Sequence, residues 1–100
     1  MKVSIIIPCF NEERTIEQII IKVIENKIFP FEIIIVDDFS TDNTRQILEN
    51  KLKGKVDKII LNNKNYGKGY SIRKGLGVAS GDVILIQDAD LEYDPMDYYK

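Results

Sequence analysis

Histidine is absent from the 100 residues, cysteine occurs once and proline three times. Without histidine there is no Ser-His-Asp triad, Cys-His pair, HExxH metalloprotease or imidazole general base. Catalysis would have to run on carboxylates, amines, hydroxyls or a hard metal. The lone Cys9 excludes an internal disulfide framework, and no Cys or Cys/His set exists to hold a structural zinc. No apolar run approaches the roughly 20 residues of a membrane span. The opening stretch, Met1 to Pro8, also lacks the ordered charged, apolar and cleavage regions of a signal peptide. A reduced, cytoplasmic setting is the expectation. Low-complexity tracts, linkers and internal repeats are missing too. With 44% hydrophobic and 30% charged residues, the chain reads as one soluble, foldable domain with a single core.

The net charge of -2 conceals a segregation. From Lys58 to Ser80 every charged residue is basic (Lys58, Lys64, Lys68, Arg73, Lys74), and from Asp82 to Asp97 every one is acidic. A net-acidic chain with one short cationic stretch is not built for nucleic acid. The run Lys51, Lys53, Lys55, Lys58 reads as a solvated helix end.

Four short β-branched runs lack polar alternation: Val3 to Ile7, Phe31 to Val36, Ile59 to Leu61 and Val83 to Ile86. Such runs are expected of parallel strands covered on both faces. Between them, helical spacing appears in Ile16, Ile19, Ile20, Val23 and Ile24, then in Ile47, Leu48 and Leu52, then in Ile72, Leu76 and Ala79. Asn11 is expected to cap the first helix and Ser40 or Thr41 the second, with Asp42 behind. Gly54 and Gly81 fall where the second and third helices should end. Asp94-Pro95 would open a fourth. The order βαβαβαβ predicts a Rossmann-like α/β/α three-layer sandwich with a mainly parallel sheet, its ligand site at the carboxyl ends of the strands.

The unusual residues lie at those ends. Asp88-Ala89-Asp90, with Glu92 and Asp94 behind it, leaves a strand directly into a loop. Carboxylates this dense repel unless a cation or protons neutralise them, and an oxygen-only set suits Mg²⁺ or Mn²⁺ better than zinc. Asp37-Asp38 leaves the second strand in the same way, placing one or both acids where a base or ribose could meet them, while Ser40, Thr41 and Asp42 serve the next helix. Asn65-Tyr66-Gly67-Lys68-Gly69 enters the third helix through two glycines, so its amides could face an anion, with Lys68 or Arg73 adding charge. Cys9 reads as small packing near the site rather than a nucleophile.

Taken together, the runs Ser4 to Glu13 (SIIIPCFNEE), Ile35 to Asp42 (IVDDFSTD) and Gly81 to Pro95 (GDVILIQDADLEYDP) resemble the family 2 glycosyltransferases of GT-A fold. The third run and Asn65 to Gly75 are most similar to the branch holding dolichol-phosphate mannosyltransferases and polyprenyl-phosphate glucosyltransferases. The resemblance implies that Pro8, Phe10 and Glu12 help form the nucleoside pocket and that Asp37 or Asp38 reads the base or ribose. It makes Asp88 and Asp90 the metal motif, with Asp90 the direct ligand, Asp88 nearer the ribose or sugar, and Glu92 completing the shell. Lys68 and Arg73 fall in the family's glycine-framed basic stretch. Phe39 replaces a glycine common in that form and is expected to narrow its loop.

The implied activity is inverting transfer of a hexose from a GDP- or UDP-sugar to a polyprenyl or dolichyl phosphate, at the cytoplasmic face of a membrane. A saccharide or cell-wall acceptor is the alternative within the family. Family members continue well past this length, so residues 1–100 are expected to be the donor-binding part, without the acceptor half, inactive alone and prone to self-association through uncovered apolar surface. Phosphatase-like hydrolases and receiver domains, which also cluster acids at strand ends, want them after the first strand, where Pro8 and Cys9 stand. A non-catalytic nucleotide- or Mg²⁺-binding module remains the reading outside enzymes.

Overall fold

The computed structural model describes residues 1–26 and 30–89. It contains four parallel strands: β1 (Val3–Cys9), β2 (Phe31–Asp37), β3 (Lys58–Leu61) and β4 (Val83–Ile86), in the spatial order β3-β2-β1-β4. Helix α1 (Ile16–Glu25) follows β1, α2 (Thr44–Ile47) follows β2 and runs into a π-helical turn at Leu48–Leu52, and α3 (Lys68–Val78) follows β3. The α/β expectation holds.

Alternate residues of the two central strands face opposite layers. Ile5 and Ile7 of β1 and Ile33 and Ile35 of β2 join Ile19 and Ile20 of α1 and Leu48 and Leu52 of the π turn in the main core. On the other face Ile6 meets α3. The sheet is thus sandwiched between α1 with the π turn and α3.

Four expectations fail. Only β1 and β2 are covered as predicted; β3 and β4 flank them, and β4 leaves Val83, Ile84 and Ile86 37 to 40% exposed. The third helix does not bury Ile72, Leu76 and Ala79. Leu76 is 46% exposed, and the residues pressed to the sheet are Ser71 and Gly75. Small side chains let the helix backbone approach β1 closely. Thirdly, the expected caps fall elsewhere: α1 begins after Thr15, α2 after Asn43, and neither has a side-chain cap. Gly81 is also not a helix end, since α3 closes at Ala79. A Cβ at Gly81 would lie 2.6 Å from Ser4 Oγ and 2.7 Å from Ser4 N, so glycine is there to let the chain pass β1. The possible helix at Asp94-Pro95 lies outside the described residues.

A Cβ at Gly75 would lie 2.7 Å from Ile6 Cγ2, whereas one at Gly77 would meet nothing within 4 Å. Gly75→Ala is therefore expected to lose about 1–2 kcal/mol of stability through overpacking, despite the better helix propensity of alanine. Gly77→Ala should be neutral or gain about 0.5 kcal/mol. Urea midpoints of the pair check the difference.

Candidate functional site

The register sets the site. Cys9 pairs with Asp37 at the ends of β1 and β2, and Gln87 N donates to Ile6 O beyond β4. The loops after β1, β2 and β4 therefore emerge side by side, next to the point where strand order reverses between β1 and β4. A cleft of about 250 Å³ opens there, walled by Pro8, Cys9, Phe10, Glu12, Asp38, Lys68, Ser71, Asp88 and Ala89.

The loops after β1 and β2 are stitched together. Asn11 adopts φ 53° and its Oδ1 accepts from Thr41 N at 2.8 Å and Asp42 N at 3.3 Å. Asparagine tolerates this left-handed geometry better than most residues. Ser40 Oγ accepts from Asn11 N, and Thr44 Oγ1 from Glu12 N. Asn11 is a loop clasp rather than a helix cap. Asp42 accepts from Thr44 N and Thr44 Oγ1 although the cap position itself is Asn43; burial pushes its carboxyl up, but these bonds outweigh it and hold it below the ordinary range. The loop after β4 is pinned by Thr15 Oγ1, which donates to Ala89 O at 2.7 Å.

The two acids after β2 part company. Asp37 is fully buried and is not a wall of the cleft. It accepts from Ser40 N at 3.0 Å, Ser40 Oγ at 2.5 Å and Arg45 Nε at 2.6 Å, and Arg45 also donates to Asn62 O. Asp38 does wall the cleft and accepts from Tyr66 N at 2.9 Å, Gly67 N at 2.8 Å and Asn62 Nδ2 at 2.9 Å. Burial pushes its carboxyl up, but those bonds outweigh it and hold it low. Gly67 has φ 100°, a region that favours glycine. The expected amide cradle at this helix start is thus partly spent on Asp38.

Phe39, at φ 66°, carries the left-handed turn that glycine would make without strain. It is not among the walls of the cleft. Its ring is exposed, with the Arg45 guanidinium 5.2 Å from the centroid. Cys9 is buried, and burial together with the neighbouring Asp37 carboxylate pushes its thiol well up. That is the environment of a packing cysteine.

Of the residues expected at the site, Pro8, Phe10, Glu12, Asp38, Lys68 and Asp88 converge on the cleft. Arg73, exposed on α3, is not among its walls. Asp90 and Glu92 lie outside the described residues. Among the described residues no three acids gather to hold a metal. The fit for a divalent cation rests on Asp88, whose Oδ1 is ion-paired with the Lys68 ammonium, a positive charge seated on the carboxylate that a cation would need. Sequence reasoning missed Arg45, Asn62 and Ser71. A lone basic residue eight positions after a buried-strand acid was the available signal for Arg45; Asn62 and Ser71 offered none.

A parallel α/β sheet with a charged cleft at its switch point defines an open, wound α/β protein whose ligand site is expected at the carboxyl ends of the strands. The chain belongs to Glycosyl transferase family 2, whose pattern matches residues 4–100. It is 40% identical over 100 residues to the undecaprenyl-phosphate 4-deoxy-4-formamido-L-arabinose transferase of Proteus mirabilis, covering 94% of this chain and 30% of that one. It is 36% identical over 97 residues to the dolichol-phosphate mannosyltransferase of Pyrococcus furiosus, covering 95% and 27%. In structure it resembles residues 1–349 of TarS from S. aureus in complex with UDP-GlcNAc, with TM-score 0.77, 35% identity and coverage of 90% and 27%. It also resembles a mannosyltransferase of Pyrobaculum calidifontis in complex with GDP-Man and Mn²⁺, with TM-score 0.79, 26% identity and coverage of 88% and 27%. The fold is that of the GT-A glycosyltransferases. The chain spans under a third of the length of these relatives.

Proposed function

We propose that the chain is the donor-nucleotide and divalent-metal part of a glycosyltransferase moving a hexose from a UDP- or GDP-sugar to a polyprenyl phosphate at the cytoplasmic face of a membrane. The observation that carries this reading is the cleft itself: the loops after β2 and β4 and the start of α3 place Asp38, Asp88 and Lys68 around one opening at the switch point. The similarity to polyprenyl- and dolichol-phosphate transferases supports the acceptor class.

Pro8 and Phe10 supply apolar walls for the nucleoside. Asp38 has its carboxylate committed to the α3 loop, so it shapes the nucleoside end and presents its remaining acceptor capacity to a base or ribose. Asp88, with Asp90 two positions on, would hold Mg²⁺ or Mn²⁺, which when bound stabilises the diphosphate as it gathers charge. Lys68, ion-paired with Asp88, would add positive charge for the same diphosphate. Attack by a phosphate oxygen of the acceptor forms the new bond to the anomeric carbon as the bond to the diphosphate breaks, inverting the centre. The acceptor's second pKa is about 6, so it arrives ionised and needs no base. That suits a chain without histidine.

Titration calorimetry with UDP and GDP, with and without Mn²⁺, tests the reading. Metal-dependent binding of one of them is expected, weakened about tenfold or more in Asp88→Ala as a charge-assisted contact is lost. A folded sample that binds neither would sink it.

A further inference from the structure

Beside the cleft, on the flank of α3 turned toward β3, two tyrosines stack. The rings of Tyr66 and Tyr70 lie 4.1 Å apart at 24°. Lys64 Nζ is 5.3 Å from the Tyr66 centroid and Lys74 Nζ 5.7 Å from that of Tyr70. Both lysines are exposed, as is Tyr66. Leu61, at the end of β3, is exposed against the same hollow, which Tyr66, Tyr70 and Lys74 also line. The donor reading uses none of these side chains.

We infer that this Tyr66/Tyr70 platform with Lys64 and Lys74 is a docking surface for an anionic lipid bilayer. Tyrosines place an apolar ring and a polar tip at the depth of lipid headgroups, and lysines lay their stems along apolar surface while the ammonium reaches phosphate. Charge is complementary, since from Lys58 to Ser80 the chain carries no acid. Position agrees as well. Tyr66 N donates to Asp38, a wall of the donor cleft, so the platform starts at the rim of the opening that a membrane-borne acceptor would have to reach. A bilayer is chosen over nucleic acid because the cations are few and the whole chain is net acidic. The choice rests on the lipid-phosphate acceptor of the preceding reading.

Flotation with phosphatidylcholine vesicles, with and without phosphatidylglycerol, is the test. The chain should float only with the anionic vesicles, and less as salt rises. Lys64→Gln/Lys74→Gln should lower partitioning about 25-fold, at roughly fivefold per lysine, while Lys64→Arg/Lys74→Arg retains it. No flotation, flotation unchanged in the glutamine pair, or lysine-dependent binding to poly(U) without binding to vesicles would each overturn the inference. Calorimetry with UDP or GDP and Mn²⁺ on the same samples separates the two readings. A chain that binds nucleotide but does not float loses the surface alone; one that floats but binds no nucleotide loses the donor reading alone.

Discussion

Asp38→Ala is expected to lower stability by about 3–4 kcal/mol, shifting the melting temperature down by roughly 15–25 °C in a domain of this size. Three donors converge on this one buried carboxylate: Tyr66 N, Gly67 N and Asn62 Nδ2. Truncation leaves the two backbone amides without their acceptor at once and Asn62 Nδ2 with Ser71 Oγ alone, and water can reach only part of the space. The loop between β3 and α3 should loosen with them. Asp38→Asn keeps the shape and one acceptor oxygen, so about half of the loss is expected. A residue that only met a ligand would leave the melting curve of the free protein unmoved. Differential scanning calorimetry of the three proteins distinguishes these outcomes.

The second large effect belongs to the opposite end of the sheet. Glu32, the second residue of β2, is buried and accepts from Ser4 Oγ at 2.6 Å, Ser80 N at 2.6 Å and Ser80 Oγ at 2.9 Å, with Lys58 Nζ 3.6 Å away. Burial pushes its carboxyl up, but the serine bonds and Lys58 outweigh it and bring it from the ordinary 4.5 to about 2. Because the folded value lies below the unfolded one, the stabilisation is complete above about pH 4.5 and is lost as pH falls toward 2. The shift corresponds to about 3 kcal/mol. Asp38 and Asp42 are displaced the same way and add to the same acid limb. Glu32→Gln should therefore be less stable by about 3 kcal/mol at neutral pH. Its stability should also fall less steeply between pH 5 and pH 2, as read from urea melts. An acid limb as steep as that of the unsubstituted chain would remove Glu32 from this role.

The layout of strands was legible because a buried parallel strand must be apolar on both faces, and Ile5 to Ile7 of β1 and Ile33 to Val36 of β2 announce that. Site loops were legible for a related reason: Pro8, Asp37, Asp38 and Asp88 break such runs abruptly. What stayed hidden depends on distances between segments far apart in sequence. Apart from the basic Arg45 eight positions on, nothing local says that Asp37 turns inward while Asp38 turns to the loop before α3, since both stand at the end of the same strand and carry the same group. The third helix misled because apolar spacing pointed to Ile72 and Leu76, whereas contact with the sheet is decided by what is small enough to fit, Ser71 and Gly75. Glu32 was invisible because its partners, Ser4 and Ser80, lie 28 and 48 residues away.

The close seat of α3 on the sheet also acts as a gauge for the cleft. Lys68 and Ser71 line the opening and Gly75, with no room for a Cβ beside Ile6, lies on the same helix, so the spacing allowed at Gly75 sets how far the Lys68 end stands from Asp88 across the mouth. A bulkier residue at position 75 would widen the cleft without altering a single wall residue. The width of the mouth is thus set from inside the core, two helical turns away from Lys68.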